Sequence, residues 1–272
     1  DLAATLLTGK TWLKVPHTLK INLTGRLNLG VSAKDVILAL CGLIGSDGAR
    51  YMSVEFTGEA VIPMTLASRM VLANMTAEMG GKCASVDPTG LVLPYDWTPT
   101  LPDSDAEYAR VVPFDCDLLT PMVAVPHAPD SVKPLRDVIG IPVHQAFIGS
   151  CTNARLEDLH AAADVLRGRH IAAGVRLLIA PASNAVFKAA LRDGTLETLT
   201  DAGAVFITSG CGPCVGTHLG VPGDGETVIS STNRNFRGRM GNPNADVYLS
   251  SPAVVAASAV MGVIADPSEV MR

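Results

Sequence analysis

The chain has 272 residues, 48% of them hydrophobic and 17% charged, enough to bury a sizeable core in one large or two ordinary domains. Formal charge is −5 and neither end carries a run of Lys or Arg, which gives no reason to expect a nucleic-acid or membrane-surface partner. The longest weakly polar stretch, residues 253–265, is shorter than the roughly 20 residues of a membrane span and is broken by Ser258 and Gly262. The opening Asp1-Leu2-Ala3-Ala4-Thr5 has no basic or apolar leader region, so a cytoplasmic protein is expected, and it lacks an initiator Met.

Taken in chain order, residues 18–23 read as a strand, 33–44 as an amphipathic helix opened by Ser32, and 51–56 as a second strand. Pro63 and Gly80-Gly81 bracket a helix over 64–79, on which Asn74 and Glu78 share a face with Met70. Nine prolines then crowd residues 88–134, a composition that suits a meandering connector. A boundary near 129–141 divides the chain into lobes 1–130 and 131–272. Beyond it, strands over 143–148, 175–180, 204–208 and 227–230 alternate with helices over 154–166, 184–193 and 252–261. That alternation means a mostly parallel α/β sheet, in which working residues gather beyond the carboxyl ends of the strands.

Of six cysteines, Cys41 lies in an apolar helical run and reads as a packed core thiol, and Cys83 and Cys116 have no partner at ligand spacing. The other three, Cys151, Cys211 and Cys214, sit in glycine-rich loops that each follow an apolar strand. The pair Cys211-x-x-Cys214 alone fits half of a zinc site completed by His218, a redox pair, or two ligands of an iron–sulfur cluster. Gly210, Gly212, Pro213 and Gly216 argue for an irregular loop rather than the helix start of a redox pair. A four-iron cube takes one thiolate per iron, so three cysteines would leave one iron open to a substrate oxygen.

Other polar residues have two readings each. Ser150, Thr152 and Asn153 could hydrogen-bond such a group or cap the helix over 154–166. Arg234, Arg237 and Arg239, with Asn233 and Asn235, form a basic loop after the strand over 227–230. Guanidinium forks there suit a di- or tricarboxylate, or the loop is a solvated turn. Asn74 and Glu78 are either a surface pair or groups at a site, where a carboxylate could hold or trade a proton. Asp35, Glu55, Glu59, Lys10, Lys14 and His17 read as surface, cap or turn residues, and His127 and His144 have no motif.

Together these segments resemble the aconitase superfamily, and within it the group of 3-isopropylmalate dehydratase large subunits and homoaconitases. The likeness rests on residues 8–12, 54–59, 73–78, 147–153, 209–216, 233–241 and 248–252, and runs nearly end to end. It implies two aconitase-type α/β/α lobes with mostly parallel sheets. It implies a [4Fe–4S] cluster held by Cys151, Cys211 and Cys214, carboxylate clamps at Arg234 and Arg239, Asn233 near the cluster, and Asn74 and Glu78 beside the reacting oxygen. Arg237 falls at a variable position of the family and is left out. The activity implied is dehydration and rehydration of a 2-hydroxy dicarboxylate such as 2-isopropylmalate, in leucine biosynthesis. Homoaconitase, aconitase and dimethylmalate or citraconate hydratase are alternatives, and a non-catalytic zinc- or cluster-bearing subunit is a rival of another class; an iron-dependent nucleic-acid regulator sits poorly with the acidic balance.

Two departures from the family pattern qualify the likeness. Nothing here matches the Asp-His and Gly-Asp-Ser-His-Thr elements that relatives carry upstream, so the chain is expected to begin just after them. The swivelling domain with its serine base is also missing, and the resemblance implies that a separate small subunit supplies it in a heterodimer or heterotetramer.

Overall fold

The computed structural model describes residues 2–271. In chain order the elements are α1 (Leu2–Thr8), β1 (Thr18–Thr24), α2 (Ala33–Ile44), β2 (Ser53–Thr57), α3 (Leu66–Met75), β3 (Cys83–Val86), β4 (Arg110–Asp115), β5 (Met122–Ala124), β6 (Val132–Pro134) and β7 (Gln145–Ile148). There follow α4 (Leu156–Leu166), β8 (Arg176–Ile179), α5 (Asn184–Arg192), α6 (Thr195–Asp201), β9 (Val205–Phe206), β10 (Thr227–Ser230), β11 (Asp246–Leu249), α7 (Pro252–Met261) and α8 (Pro267–Val270). They build two sheets, ordered β3-β2-β1-β4 and β6-β5-β11-β10-β7-β8-β9. All pairs are parallel except β11–β5 and β5–β6. The α/β class with mostly parallel sheets is the architecture expected from the alternating pattern.

Strand β7 is buried along its whole length because the seven-stranded sheet is covered on both faces. Phe147 packs with the core that includes α2 and the four-stranded sheet, whereas Ala146 and Ile148 face the core built on α4 and α7. Helix α2 therefore lies between the two sheets. The sequence suggests one polar face, yet Ala33–Leu38, Leu40, Cys41 and Ile44 are all buried, as for a helix enclosed on most sides. Ser32 caps it as expected, and Asp35 completes a reciprocal cap while also accepting from the Met122 N–H at 2.8 Å. Cys41 is fully buried, its thiol pushed up to about 12 by desolvation, which bears out the core reading.

The proline-rich stretch holds more order than its composition suggests. Strand β4 joins the four-stranded sheet as an edge and tolerates Pro113 there, since an edge strand can spare one N–H. The hairpin β5–β6 joins the edge of the seven-stranded sheet. The divide expected at 130/131 falls in the turn of this hairpin, and strand pairing makes the crossing between sheets at residues 116–121. The helix expected over 64–79 is two pieces: α3 ends at Met75 and a tighter 3-10 turn, Thr76–Met79, carries Glu78.

Candidate functional site

Three loops at the carboxyl ends of β7, β9 and β10 meet the end of α3. The first, residues 149–155, turns sharply: Ser150 and Ala154 both have positive φ, 84° and 68°, costly for residues with a Cβ. Gly149 is required at its start, because a Cβ there would stand 2.4 Å from the Phe147 ring. The capping alternative for Thr152 and Asn153 fails. Helix α4 begins at Leu156, its N-cap is Arg155, and Asp158 accepts the Arg155 N–H at 3.0 Å. Thr152 instead donates to Asn74 Oδ1 at 2.8 Å, and the exposed Cys151 thiol lies 3.7 Å from the same oxygen. Asn74 Nδ2 has no protein partner among the described residues.

The second loop leaves β9 and carries Cys211, exposed, and Cys214, buried, on a short 3-10 turn over Gly212–Val215. Gly216 closes it with φ 68°, and a Cβ there would stand 2.1 Å from the Gly241 nitrogen. Backbone meets backbone at this point, which fixes the cysteine loop against the arginine loop.

The third loop follows β10. Asn233 is buried and its Nδ2 donates to Glu78 Oε1 at 3.3 Å, while Cys214 Sγ lies 3.9 Å from Asn233 Oδ1. Arg234 Nε reaches both oxygens of Glu78, at 2.8 and 3.0 Å. Its two terminal amino groups have no protein partner among the described residues, so the fork stays available to a carboxylate. Arg239 Nη2 stands 3.9 Å from Cys214 Sγ, and its Nε is buried without a partner among the described residues. Asn235 is fully buried and binds the carbonyls of Val125 and Val247, whereas Arg237 is exposed and away from these contacts. A solvated turn does not describe this loop.

Electrostatics follow from burial. Glu78 is 4% exposed, and desolvation raises its carboxyl above the ordinary range although Arg234 and Arg239 pull the other way. A surface pair with Asn74 is therefore excluded. The Cys214 thiol is raised by burial, opposed by Arg239 and reinforced by the nearby Cys151 and Cys211. Among the described residues no three His, Cys, Asp or Glu side chains converge closely enough to hold a single metal ion. His218 lies over Gly212, 4.0 Å from where a Cβ would stand, without completing such a group. The structure thus brings Asn74, Glu78, Cys214, Asn233, Arg234 and Arg239 into one chain of contacts, and Cys151 joins it through Asn74. Cys211 stands at the start of the turn that carries Cys214.

Sequence reasoning missed Lys34. It is 1% exposed, and its Nζ donates to the carbonyls of Ser231 (2.8 Å) and Thr232 (2.7 Å) and to Asn153 Oδ1 (3.3 Å). Asn153 Nδ2 in turn donates to Asp158 at 3.1 Å. Burial lowers the Lys34 pKa to about 8, with Asp158 the largest opposing influence. The one available signal was a lysine in the first turn of a helix, where acidic residues are favoured.

Comparison with known proteins gives a consistent answer. The family model for aconitase (aconitate hydratase) matches residues 1–96 and 94–262. The chain is 47% identical to 3-isopropylmalate dehydratase large subunit 1 of Methanopyrus kandleri, over 98% of this chain and 66% of that protein. It is 50% identical to the homoaconitase large subunit of Thermus thermophilus, over 99% and 65%. It is also 50% identical to 3-isopropylmalate dehydratase large subunit 1 of Deinococcus radiodurans, over 100% and 63%. The chain thus spans just under two thirds of the length of these relatives.

Proposed function

The chain belongs to the aconitase family, and from that premise we propose that it forms the cluster-holding part of a hydro-lyase large subunit acting on a 2-hydroxy dicarboxylate such as 2-isopropylmalate. The observation that carries this reading is the unbroken path of contacts from the Cys214 thiol through Asn233 to Glu78 and Arg234, with Arg239 beside the thiol. A soft metal ligand, an acid and two carboxylate-binding forks meet there on loops from different strands.

The donor set fits a [4Fe–4S] cluster held by Cys151, Cys211 and Cys214. Cys151 on one loop and Cys211 and Cys214 on the next could each take a different iron of a cube. Arg239 Nη2, 3.9 Å from Cys214 Sγ, is the kind of outer contact to sulfur that tunes such centres. When bound, such a cluster supplies Lewis acidity at a substrate hydroxyl.

The chain's own residues would do the rest. Arg234, already oriented through its Nε, offers its terminal amino groups to one substrate carboxylate in planar, bidentate fashion, and Arg239 reaches a second. Asn74, its oxygen committed to Thr152, can donate from Nδ2 to the hydroxyl. Glu78, with its pKa raised by burial, can hold a proton at its carboxyl and pass it to the departing oxygen, then take it back on readdition. Removal of the carbon-bound proton calls for a base outside these residues. The relatives' names specify a large subunit, and we assign that base to a small partner bearing the swivelling domain. Three thiols free of disulfides suit a reducing compartment, which is the basis for placing the protein in the cytoplasm.

Anaerobic reconstitution followed by iron, sulfide and zinc analysis tests the reading: about four irons and four sulfides per chain are expected, and a single zinc overturns it. Turnover of 2-isopropylmalate, homocitrate-series and citrate substrates, with the small subunit added, then ranks the substrates. Here 2-isopropylmalate should lead.

A further inference from the structure

Lys34 has no part in the chemistry above, yet it is among the largest fully buried side chains of the protein. Burying an ammonium group costs several kcal/mol unless its donors are satisfied. Here the three N–H groups meet three acceptors, two on the arginine loop and one on the first cysteine loop. The lysine itself comes from α2, a helix packed between the two sheets. Its location in the first helical turn does not serve the helix, whose dipole disfavours a cation there. The contacts instead serve the loops. The Ser231 and Thr232 carbonyls directly precede Asn233 and Arg234, and Asn153 stands two residues after Cys151.

We propose that Lys34 is a positioning residue of the site, which fixes from the neighbouring lobe the mutual placement of the loop bearing Cys151 and the loop bearing Asn233 and Arg234. Its functional consequence rests on the cluster reading, but its structural content does not. Arginine cannot substitute, because a planar fork does not match three acceptors grouped around a tetrahedral nitrogen.

The first measurement is amide hydrogen exchange by mass spectrometry on the metal-free chain. Lys34→Met leaves buried carbonyls unpaired, so residues 149–155 and 231–235 should exchange roughly tenfold faster or more while β8 and α7 stay as in the wild type. Asn153→Ala removes only one acceptor and should loosen 149–155 alone. Should Lys34→Met fail to fold, Lys34→Gln, which keeps two donors, takes its place in the same comparison. Wild-type exchange in both loops overturns the proposal, and so does a uniform rise across the whole chain, the mark of a general loss of stability. The second measurement is the decay of cluster absorbance under a chelator, expected to be about tenfold faster in Lys34→Met than in the wild type, as for outer contacts of a metal site. If the wild-type chain loads no cluster, the proposed function fails while the exchange comparison still decides the role of Lys34.

Discussion

Glu78, Asn233 and Arg234 on one side of the site, and residues 209–216 on the other, are held by different means. On the Glu78 side, side chains hold side chains: the buried carboxyl is gripped by an amide and a guanidinium at 2.8–3.3 Å. On the cysteine side, the backbone sets the shape, with Gly210, Gly212 and Gly216 all at positive φ and Gly216 pressed against Gly241. The difference teaches where each half should be vulnerable. The polar half should lose chemistry when a functional group changes, and the thiol half should lose its ligand when a donor or a turn changes.

Four experiments sharpen or break that contrast. The largest effect is expected for Cys214→Ser, which removes a buried thiol at the heart of the cysteine loop. Broad visible absorbance should vanish after reconstitution, and a spectrum like that of the wild type would remove Cys214 from the ligand set. Next, Glu78→Gln should leave cluster absorbance intact while turnover falls by about 10²–10⁴, the usual range for an acid–base group. Third, Arg239→Lys should weaken substrate binding by about 1.5–3 kcal/mol, as for a charge-assisted hydrogen bond, read by calorimetry on the loaded protein. Undiminished affinity would take Arg239 out of carboxylate recognition.

The smallest effect is a pH dependence. Burial holds the Glu78 carboxyl above its ordinary value, so the folded chain resists ionising it more than the unfolded chain does. The stability linked to this group is fully present below the ordinary carboxylate range near pH 4 and is lost as pH rises through the raised folded value. Relative to the wild type, Glu78→Gln should therefore gain in Tm as pH rises above about 4. A difference that stays constant over this window would mean that the carboxylate is solvated after all.

Much of this arrangement was legible in the residues. Helix α2 with its Ser32 cap, helix α7 and strand β10 have the limits that periodicity and turn residues suggest. The cysteine and arginine loops lie at strand ends because parallel α/β order puts them there. Local signals failed where a distant partner decides the outcome. Thr152 and Asn153 look like caps in sequence, but Asn74 and Lys34 claim their side chains. Glu78 at four residues from Asn74 suggests one helical face, but the switch to a 3-10 turn at Thr76 turns the carboxylate toward Arg234. Strand β4 was hidden by Pro113, which an edge position makes tolerable.

The reach of Lys34 has a consequence for how the molecule is made. Its acceptors lie 119, 197 and 198 positions further along the chain. Contacts so remote in order close late, since a long segment must first be brought round at an entropic cost. During synthesis the helix leaves the ribosome well before the loops it is to secure. Loading of the proposed cluster should accordingly wait until residues 231–239 have emerged and both sheets have come together.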